Sequence, residues 1–242
     1  MEVREGEPSA LGHSRLQVLA SAAIGFVAVV LFDRASAGDT PTPASAAPDT
    51  VLAPAVVVAA GADFIDTNSV TRVTGITDTG TRSGTAFALD DGRVATVAHA
   101  LVDARRISLG VDGGSEDAMV VDSGARIAID RDNDLAAISG PELAGQLRVA
   151  SAPVTIGQVV GLAGFGRDER IQVVTGAVIG RSPGRDYGVD HPDVLAIDAP
   201  VAEGWSGGPV VDTDGHVVGV VVGQDLTSGV TLAVPIEYLP TP

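Results

Sequence analysis

The chain has 242 residues, a formal charge of −16 at pH 7 and no cysteine. The length fits one domain of about 200 residues or two small ones. The acidic charge argues against nucleic acid as a partner, and the missing cysteines exclude disulfides, thiol catalysis and cysteine-ligated zinc. Hydrophobic residues make up 45%, aromatic residues only 3% and glycine 30 positions, a composition that favours an all-β domain.

An apolar segment comes first, at residues 16–32, which read LQVLASAAIGFVAVVLF. Its length is near the lower limit for crossing a bilayer, about 17–25 residues, and slightly long for a signal-peptide core, about 7–15 residues. Arg4 and Arg15 precede it, which favours a cytoplasmic N-terminus at residues 1–15. We therefore expect a signal anchor at 16–32 with the rest of the chain outside the cytoplasm. The alternative is secretion after cleavage behind Ala37, where ASA offers small residues.

A linker is predicted at residues 33–54, because the stretch GDTPTPASAAPDTVLAP at 38–54 is rich in Pro, Thr, Ala and Ser. From residue 55 onward, short Val/Ile/Ala runs alternate with turn signals, among them DDG at 90–92 and TDG at 213–215. No strand–helix–strand rhythm is visible in the sequence. The pattern therefore predicts antiparallel barrels or a sandwich.

Histidine and aspartate candidates for acid–base chemistry occur in the first half of this region. The sequence has four histidines, of which His13 precedes the apolar segment, His191 lies in a polar loop and His216 follows a turn. His99 instead ends the strand-like run GRVATVAHAL. It is either a buried structural histidine or a group placed to act as a base.

The run DRDNDLAAI offers Asp130, Asp132 and Asp134. Asp134 directly precedes apolar residues, so we expect it to point inward. A calcium loop could begin in the same way, but Leu135 and Pro141 stand where an EF-hand has Gly and Glu. We therefore predict neither a metal nor a cofactor.

The stretch GWSGGP, residues 204–209, sets one serine among three glycines. Such a backbone can hold Ser206 exposed beside bare N–H groups, as a nucleophile with an oxyanion hole requires, or it is simply a glycine-rich turn. GWSGG also fits the nucleophile elbow of α/β-hydrolases. That elbow needs a helix after the serine, and Gly207, Gly208 and Pro209 argue against one.

Three stretches resemble the signature regions of trypsin-like (chymotrypsin-fold) serine proteases: TVAHAL around His99, DNDLAAI around Asp134 and GWSGGPVV around Ser206. The order His, Asp, Ser also matches. SGTAFAL, TIGQVVGLAGFG and TLAVPI are similar to the bacterial HtrA-type branch, although the chain ends soon after TLAVPI and we expect no PDZ domain. The resemblance covers about 55–237 and implies an all-β fold of two six-stranded antiparallel β-barrels, at about 55–150 and 151–237, after one N-terminal hydrophobic helix.

The resemblance also implies roles. His99 would be the general base and acid, Asp134 would orient it, and Ser206 would form an acyl-enzyme. The N–H groups of Gly204 and Ser206 would bind the oxyanion. The primary substrate pocket would be lined by Pro200, Val201, Val220, Val221, Val222 and Gly223. The absence of a carboxylate among them predicts cleavage after small or medium apolar residues.

One residue departs from the family pattern, because Trp205 stands where an Asp or Asn usually precedes the nucleophile. Trp205 either packs between loops or distorts the oxyanion loop. In the first case we expect an exported, membrane-tethered serine endopeptidase that acts on proteins or peptides. In the second case the chain would be an inactive binding module with a protease fold.

Overall fold

The structure is a computed structural model that describes residues 64–110, 119–121, 124–168 and 170–242. All of them belong to one unit, Leu52–Pro242. The predicted cytoplasmic segment, hydrophobic helix and linker lie outside the described residues. Within those residues, no helix is both long and apolar enough to cross a bilayer.

The first half of the described chain forms one antiparallel sheet. Its strands are β1 (Val70–Thr77), β2 (Gly80–Ala88), β3 (Arg93–Val97), β4 (Arg106–Gly110), β5 (Met119–Val120), β6 (Arg126–Asp130) and β7 (Leu135–Ser139). Their order across the sheet is β5-β4-β1-β2-β3-β7-β6. The short helix α1 (Ala98–Leu101) follows β3 directly, so that strand delivers His99 to the end of the sheet.

The second half forms a sheet that closes on itself. Its strands are β8 (Arg148–Val149), β9 (Val159–Phe165), β10 (Ile171–Ser182), β11 (Val194–Asp198), β12 (Pro209–Val211), β13 (His216–Gln224) and β14 (Thr231–Pro235). The order is β12-β9-β10-β11-β14-β13-β8, and an additional β12–β13 pairing closes six of the strands into a barrel. β8 joins outside this ring, parallel to β13. Among the described residues, short 3-10 helices lie at Thr67–Ser69, Gly184–Tyr187 and Ile236–Tyr238.

The predicted all-β, two-barrel fold is confirmed, with one difference in the first half. That sheet has seven strands, and the described residues contain no pairing between its edge strands β5 and β6. β5 is only two residues long, so it has few backbone groups with which to pair with β6 and close the barrel. The first barrel is therefore a half-barrel, whereas the second is closed as predicted.

Both predicted tight turns are present. Gly92 (φ 84°) joins β2 to β3, and Gly215 (φ 80°) joins β12 to β13. An aspartate closes each turn with its carboxylate: Asp91 accepts the N–H of Arg93 at 3.1 Å, and Asp212 accepts that of His216 at 2.8 Å. These are the positive-φ and carboxylate–backbone features for which hairpin turns select Gly and Asp.

Buried side chains form two clusters. One includes Phe87, Leu135 and Ile138 from the first sheet together with Leu232 and Val234 from the second, so apolar packing joins the two halves. The other cluster lies within the second barrel and is built from Leu162, Leu195, Ile197, Trp205 and Val210, among others. The sheets that position His99 and Ser206 are therefore held by a shared core.

Candidate active site

The turn that carries Ser206 depends on glycine at two positions. Gly204 and Gly207 have φ values of 98° and 92°, which L side chains rarely adopt. A Cβ at Gly204 would lie 2.4 Å from the carbonyl oxygen of Phe165, and one at Gly207 would lie 2.0 Å from that of Thr85. Gly204 and Gly207 are thus required for two reasons: their backbone conformation, and the close approach of neighbouring backbone atoms.

Trp205 packs into the second barrel. Its side chain is 1% exposed, and its indole lies against Gly164, where an added Cβ would come within 2.7 Å of the ring. The buried indole N–H has no hydrogen-bond acceptor among the described residues. Sequence reasoning allowed packing between loops, and the structure places Trp205 in the core of the second barrel instead.

Backbone hydrogen bonds hold the turn in shape. The N–H of Trp205 donates to Ala202 at 3.2 Å, that of Gly208 donates to the Trp205 carbonyl at 2.9 Å, and that of Gly207 donates to Val221 at 2.7 Å. The N–H groups of Gly204 and Ser206 have no such acceptor within the described part of the chain. Two unpaired donors on one rigid turn are what an oxyanion hole requires.

His99 and Asp134 are in direct contact through two hydrogen bonds. The Nδ1 of His99 lies 2.6 Å from Oδ2 of Asp134, and the backbone N–H of His99 donates to Oδ1 at 2.8 Å. The side chains are 38% and 19% exposed. With Nδ1 bonded to the carboxylate, Nε2 of the neutral ring is left as the acceptor, which is the tautomer a general base needs.

The backbone of Asp134 is unusual. Its φ of 50° lies in the left-handed region, which costs a non-glycine residue on the order of 1–2 kcal/mol. The Asp134 carbonyl accepts the N–H of Ala98 at 3.0 Å, in addition to the two carboxylate bonds to His99. The residue with the strained backbone is therefore the one that hydrogen-bonds both the backbone and the side chain of His99. Strained residues are often found at functional sites.

The hydroxyl of Ser206 does not contact His99 in this structure. Its Oγ donates to the carbonyl of Val222 at 3.3 Å. The Ser206 carbonyl accepts the N–H of Thr85 at 2.8 Å, which puts the serine beside β2, the neighbour of the strand that leads to His99. The structure thus brings His99 and Asp134 together and sets Ser206 against the same sheet, with the hydroxyl turned to another acceptor. Loose catalytic hydrogen bonds are common in structures without substrate.

The predicted pocket residues fall into two groups. Val220 and Val221 are fully buried, because β12 and β14 flank this part of β13 and cores lie on both of its faces. Pro200 is exposed, and Val201, Val222 and Gly223 are half-buried. Among residues 220–223, the accessible ones are therefore Val222 and Gly223, and the Val222 carbonyl accepts the Ser206 hydroxyl.

Two side chains that sequence reasoning did not identify hold the site from β2. Arg82 donates from Nη1 to the carbonyls of His99, at 3.1 Å, and Val102, at 2.9 Å. Thr85 donates from its hydroxyl to the carbonyl of Gly204 at 2.8 Å. The sequence feature that could have identified Thr85 is a polar threonine within SGTAFAL, a stretch of otherwise small or apolar residues. Nothing in the sequence marks Arg82.

His191 was interpreted from sequence as a polar loop residue, but its environment is more specific. Burial lowers the pKa of its imidazole, opposed by the carboxylates of Asp134 and Asp190 and assisted by His99. Its Nδ1 is buried and makes no hydrogen bond to the described residues. His191 is therefore a neutral ring within electrostatic reach of the His99–Asp134 pair.

One group in the described residues has the spacing of metal ligands. Asp212, Asp214 and His216 offer atoms within 4.8 Å of one another. Oδ1 of Asp212 already accepts the N–H groups of Asp214, at 3.0 Å, and His216, at 2.8 Å. This is the geometry of an acidic hairpin turn, and we assign no metal to it.

Comparisons with known proteins identify a matching family and similar sequences and structures. The family model of the trypsin-like peptidase domain matches residues 84–220. Serine protease HTRA1A of Danio rerio is 31% identical over 166 residues, which cover 65% of this chain and 33% of that protein. A probable periplasmic serine endoprotease, DegP-like, of Bartonella henselae is 34% identical over 140 residues, 55% of this chain and 26% of its own length. The chain thus spans about a third or less of these curated relatives.

Among solved structures, the active form of the Rv3671c protease from M. tuberculosis superposes with a TM-score of 0.58 at 25% identity, covering 87% of this chain and 90% of that one. The family match runs from β2 to β13, covers more than half of the chain and includes His99, Asp134 and Ser206. The chain therefore belongs to the trypsin-like peptidase domain family, with HtrA- and DegP-type proteases among its relatives.

Proposed function

We propose that this protein is a serine endopeptidase that hydrolyses peptide bonds through Ser206, His99 and Asp134. One observation carries the proposal. His99, which is hydrogen-bonded to a carboxylate at 2.6 Å, lies at the end of the sheet that contacts the Ser206 turn, and two N–H groups of that turn have no acceptor among the described residues. Membership of the peptidase family supports it.

The chemistry begins when the Ser206 hydroxyl turns from the Val222 carbonyl towards Nε2 of His99. His99 takes the proton as Oγ attacks the carbonyl carbon of the substrate, and Asp134 stabilises the imidazolium that forms. The N–H groups of Gly204 and Ser206 bind the oxyanion. His99 then protonates the leaving amine, and water hydrolyses the acyl-enzyme by the same steps.

A peptide substrate has an edge on which to dock. The β12–β13 ladder ends at Pro209 and Val220, whereas β14 continues to pair with the other side of β13 as far as Gln224. Residues 222–224 therefore have one edge without a strand partner among the described residues, and the Val222 carbonyl on that edge already faces Ser206. An extended peptide can add there as a further strand.

Substrate specificity is inferred from the residues that the family resemblance assigns to the primary pocket. Pro200, Val201 and Val222 carry no charge, and Glu203 is ion-paired with Arg167, whose Nε lies 3.0 Å from its carboxylate. A buried guanidinium or ammonium group without a carboxylate partner costs several kcal/mol. We expect cleavage after small or medium apolar residues such as Ala, Val or Leu. Digestion of a peptide library measures this, and a dominant preference for Arg or Lys before the cut would contradict it.

The location of the enzyme is part of the proposal. The apolar segment 16–32 behind Arg4 and Arg15 supports a single-pass anchor with the peptidase outside the cytoplasm. Protease added to intact spheroplasts should then digest the peptidase domain, and protection until lysis would contradict this orientation. N-terminal sequencing distinguishes anchor from secretion, since a mature start at Gly38 means cleavage.

A fluorophosphonate probe tests the activity itself on the full chain. We expect covalent labelling of the wild-type protein and none of Ser206→Ala. Ser228→Ala is the matched control, because Ser228 lies on an exposed loop where its hydroxyl bonds Asp225. A folded wild-type protein that neither labels nor cleaves any peptide would contradict the proposal and favour a binding module with a protease fold.

A further inference from the structure

The hydroxyl of Thr85 connects the two halves of the protein at the Ser206 turn. Thr85 lies on β2 of the first sheet and is completely buried. Its Oγ1 donates to the carbonyl of Gly204 at 2.8 Å and accepts the N–H of Phe165, at the end of β9, at 3.0 Å. One side chain of the first half therefore holds two separate segments of the second.

The backbone of the same residue makes two more bonds. The N–H of Thr85 donates to the Ser206 carbonyl at 2.8 Å, and its carbonyl accepts the Thr96 hydroxyl at 2.7 Å. The backbones of Gly207 and Thr85 also approach so closely that a Cβ on Gly207 would lie 2.0 Å from the Thr85 oxygen. Every polar group of Thr85 is thus engaged, and three of these four bonds cross to the second barrel.

These bonds help to set the direction in which the N–H groups of Gly204 and Ser206 point. The N–H groups of Gly204 and Ser206 can converge on one oxygen only while the carbonyls between them point elsewhere. The Trp205 carbonyl is held by Gly208 at 2.9 Å, and the Gly204 carbonyl is held by the Thr85 hydroxyl at 2.8 Å. A glycine at φ 98° has wide conformational freedom, so this second carbonyl needs an external partner to keep one orientation.

We propose that Thr85 is a positioning residue whose hydroxyl holds the Ser206 turn in the orientation that binds the oxyanion. This inference rests on the proposed peptidase activity. Thr85 itself does not contact a reacting atom. It acts through Gly204, and the loss of its hydroxyl would leave that carbonyl and the Phe165 N–H buried without a partner.

The test compares Thr85→Val, which keeps the shape and removes the hydroxyl, with Thr85→Ser, which keeps the hydroxyl. Removal of an oxyanion donor itself lowers kcat by about 10²–10³. In Thr85→Val the oxyanion donors remain but their orientation is no longer fixed, so we expect kcat to fall by about tenfold. KM should stay within about twofold of the wild type, because substrate binding along β13 in the ground state is unchanged. Thr85→Ser should restore most of the rate. The affinity for a peptidyl boronic acid, whose adduct is tetrahedral, should fall in parallel with kcat/KM.

Thr71→Val is the matched control. Thr71 is also a buried threonine, on the neighbouring strand β1, and within the described part of the chain its hydroxyl makes only a 3.5 Å contact with the carbonyl of Arg72. The control variant should keep the wild-type kcat. If Thr85→Val does not fold, Thr85→Ser and Thr85→Ala form a second pair that differs only by the hydroxyl.

The outcomes separate the two proposals. A wild-type protein that labels and cleaves, together with a folded Thr85→Val of unchanged kcat, would overturn the role of Thr85 alone. The same holds if the melting temperature falls while kcat and boronate affinity stay at wild-type values, because that is a purely structural effect. A wild-type protein without any labelling would overturn the peptidase assignment and this inference with it.

Discussion

At the scale of single residues, Asp134 combines a left-handed backbone (φ 50°) with two carboxylate bonds to His99. The carboxylate both selects the tautomer of His99 and compensates the charge of its imidazolium. Asparagine tolerates the left-handed region nearly as well as aspartate and can still accept the N–H of His99. The fold should therefore survive an exchange that removes the charge.

We expect Asp134→Asn to lower kcat by about 10⁴-fold with little change in melting temperature. Peptide hydrolysis and thermal unfolding of the same preparation measure both quantities. Asp132→Asn is the control, since Asp132 is an exposed residue of the same loop. If Asp134→Asn kept a rate within tenfold of the wild type, Asp134 would not be the partner of the catalytic histidine.

At the scale of secondary-structure elements, α1 is too short to be stable alone. It has four residues, so its last carbonyls lack partners within the helix. Arg82 on β2 donates hydrogen bonds to two of these carbonyls at the end of α1, that of His99 at 3.1 Å and that of Val102 at 2.9 Å. Cationic side chains are favourable at such helix ends. The position of His99 thus depends on a side chain of β2.

Replacing Arg82 with Met keeps much of the aliphatic stem and removes both bonds. We expect Arg82→Met to reduce the free energy of unfolding by about 1.5–3 kcal/mol, the range for a hydrogen bond that involves a charged group, and to lower kcat because α1 loses its fixed orientation. Urea unfolding and peptide hydrolysis measure the two effects. Arg106→Met, at an exposed position of β4, is the control. Equal unfolding midpoints for Arg82→Met and the wild type would mean that these bonds do not stabilise α1.

At the scale of the whole molecule, His191 links stability to pH. Burial lowers the pKa of its imidazole below 6.5 in the folded protein, whereas in the unfolded chain it titrates near 6.5. Between these two pKa values the unfolded chain binds a proton that the folded protein does not. Stability is therefore fully present above about pH 6.5 and falls as the pH is lowered through that value. The carboxylates of Asp134 and Asp190 oppose this lowering of the pKa, and His99 adds to it.

We expect His191→Gln to weaken this pH dependence. Urea midpoints at pH 7.5 and pH 5.5 should differ less in His191→Gln than in the wild type. If His191→Gln and the wild type lost equal stability between the two pH values, the proton linkage would have to come from other groups.

The features that could be predicted from the sequence are those encoded over a few neighbouring residues. Gly204 and Gly207 meet a conformational demand that only glycine satisfies, the DDG and TDG turns have local hydrogen bonds, and short alternating runs predict an antiparallel β fold. The family resemblance rested on stretches of this kind, and the family match confirmed it. The contact of Asp134 with His99 agrees with the expectation that Asp134 points inward. The catalytic roles, the substrate pocket and the membrane topology stay predictions.

Only the tertiary structure decided the contacts between distant parts of the chain. Thr85 and Gly204 are separated by 119 positions, and no periodicity or turn signal in the sequence links them. The burial of Val220 and Val221, the packing of Trp205 into the barrel and the environment of His191 likewise depend on which strands become neighbours. The physical reason is that backbone conformation and strand pattern are local properties, whereas a hydrogen-bond partner or a buried face exists only after the two halves have packed together.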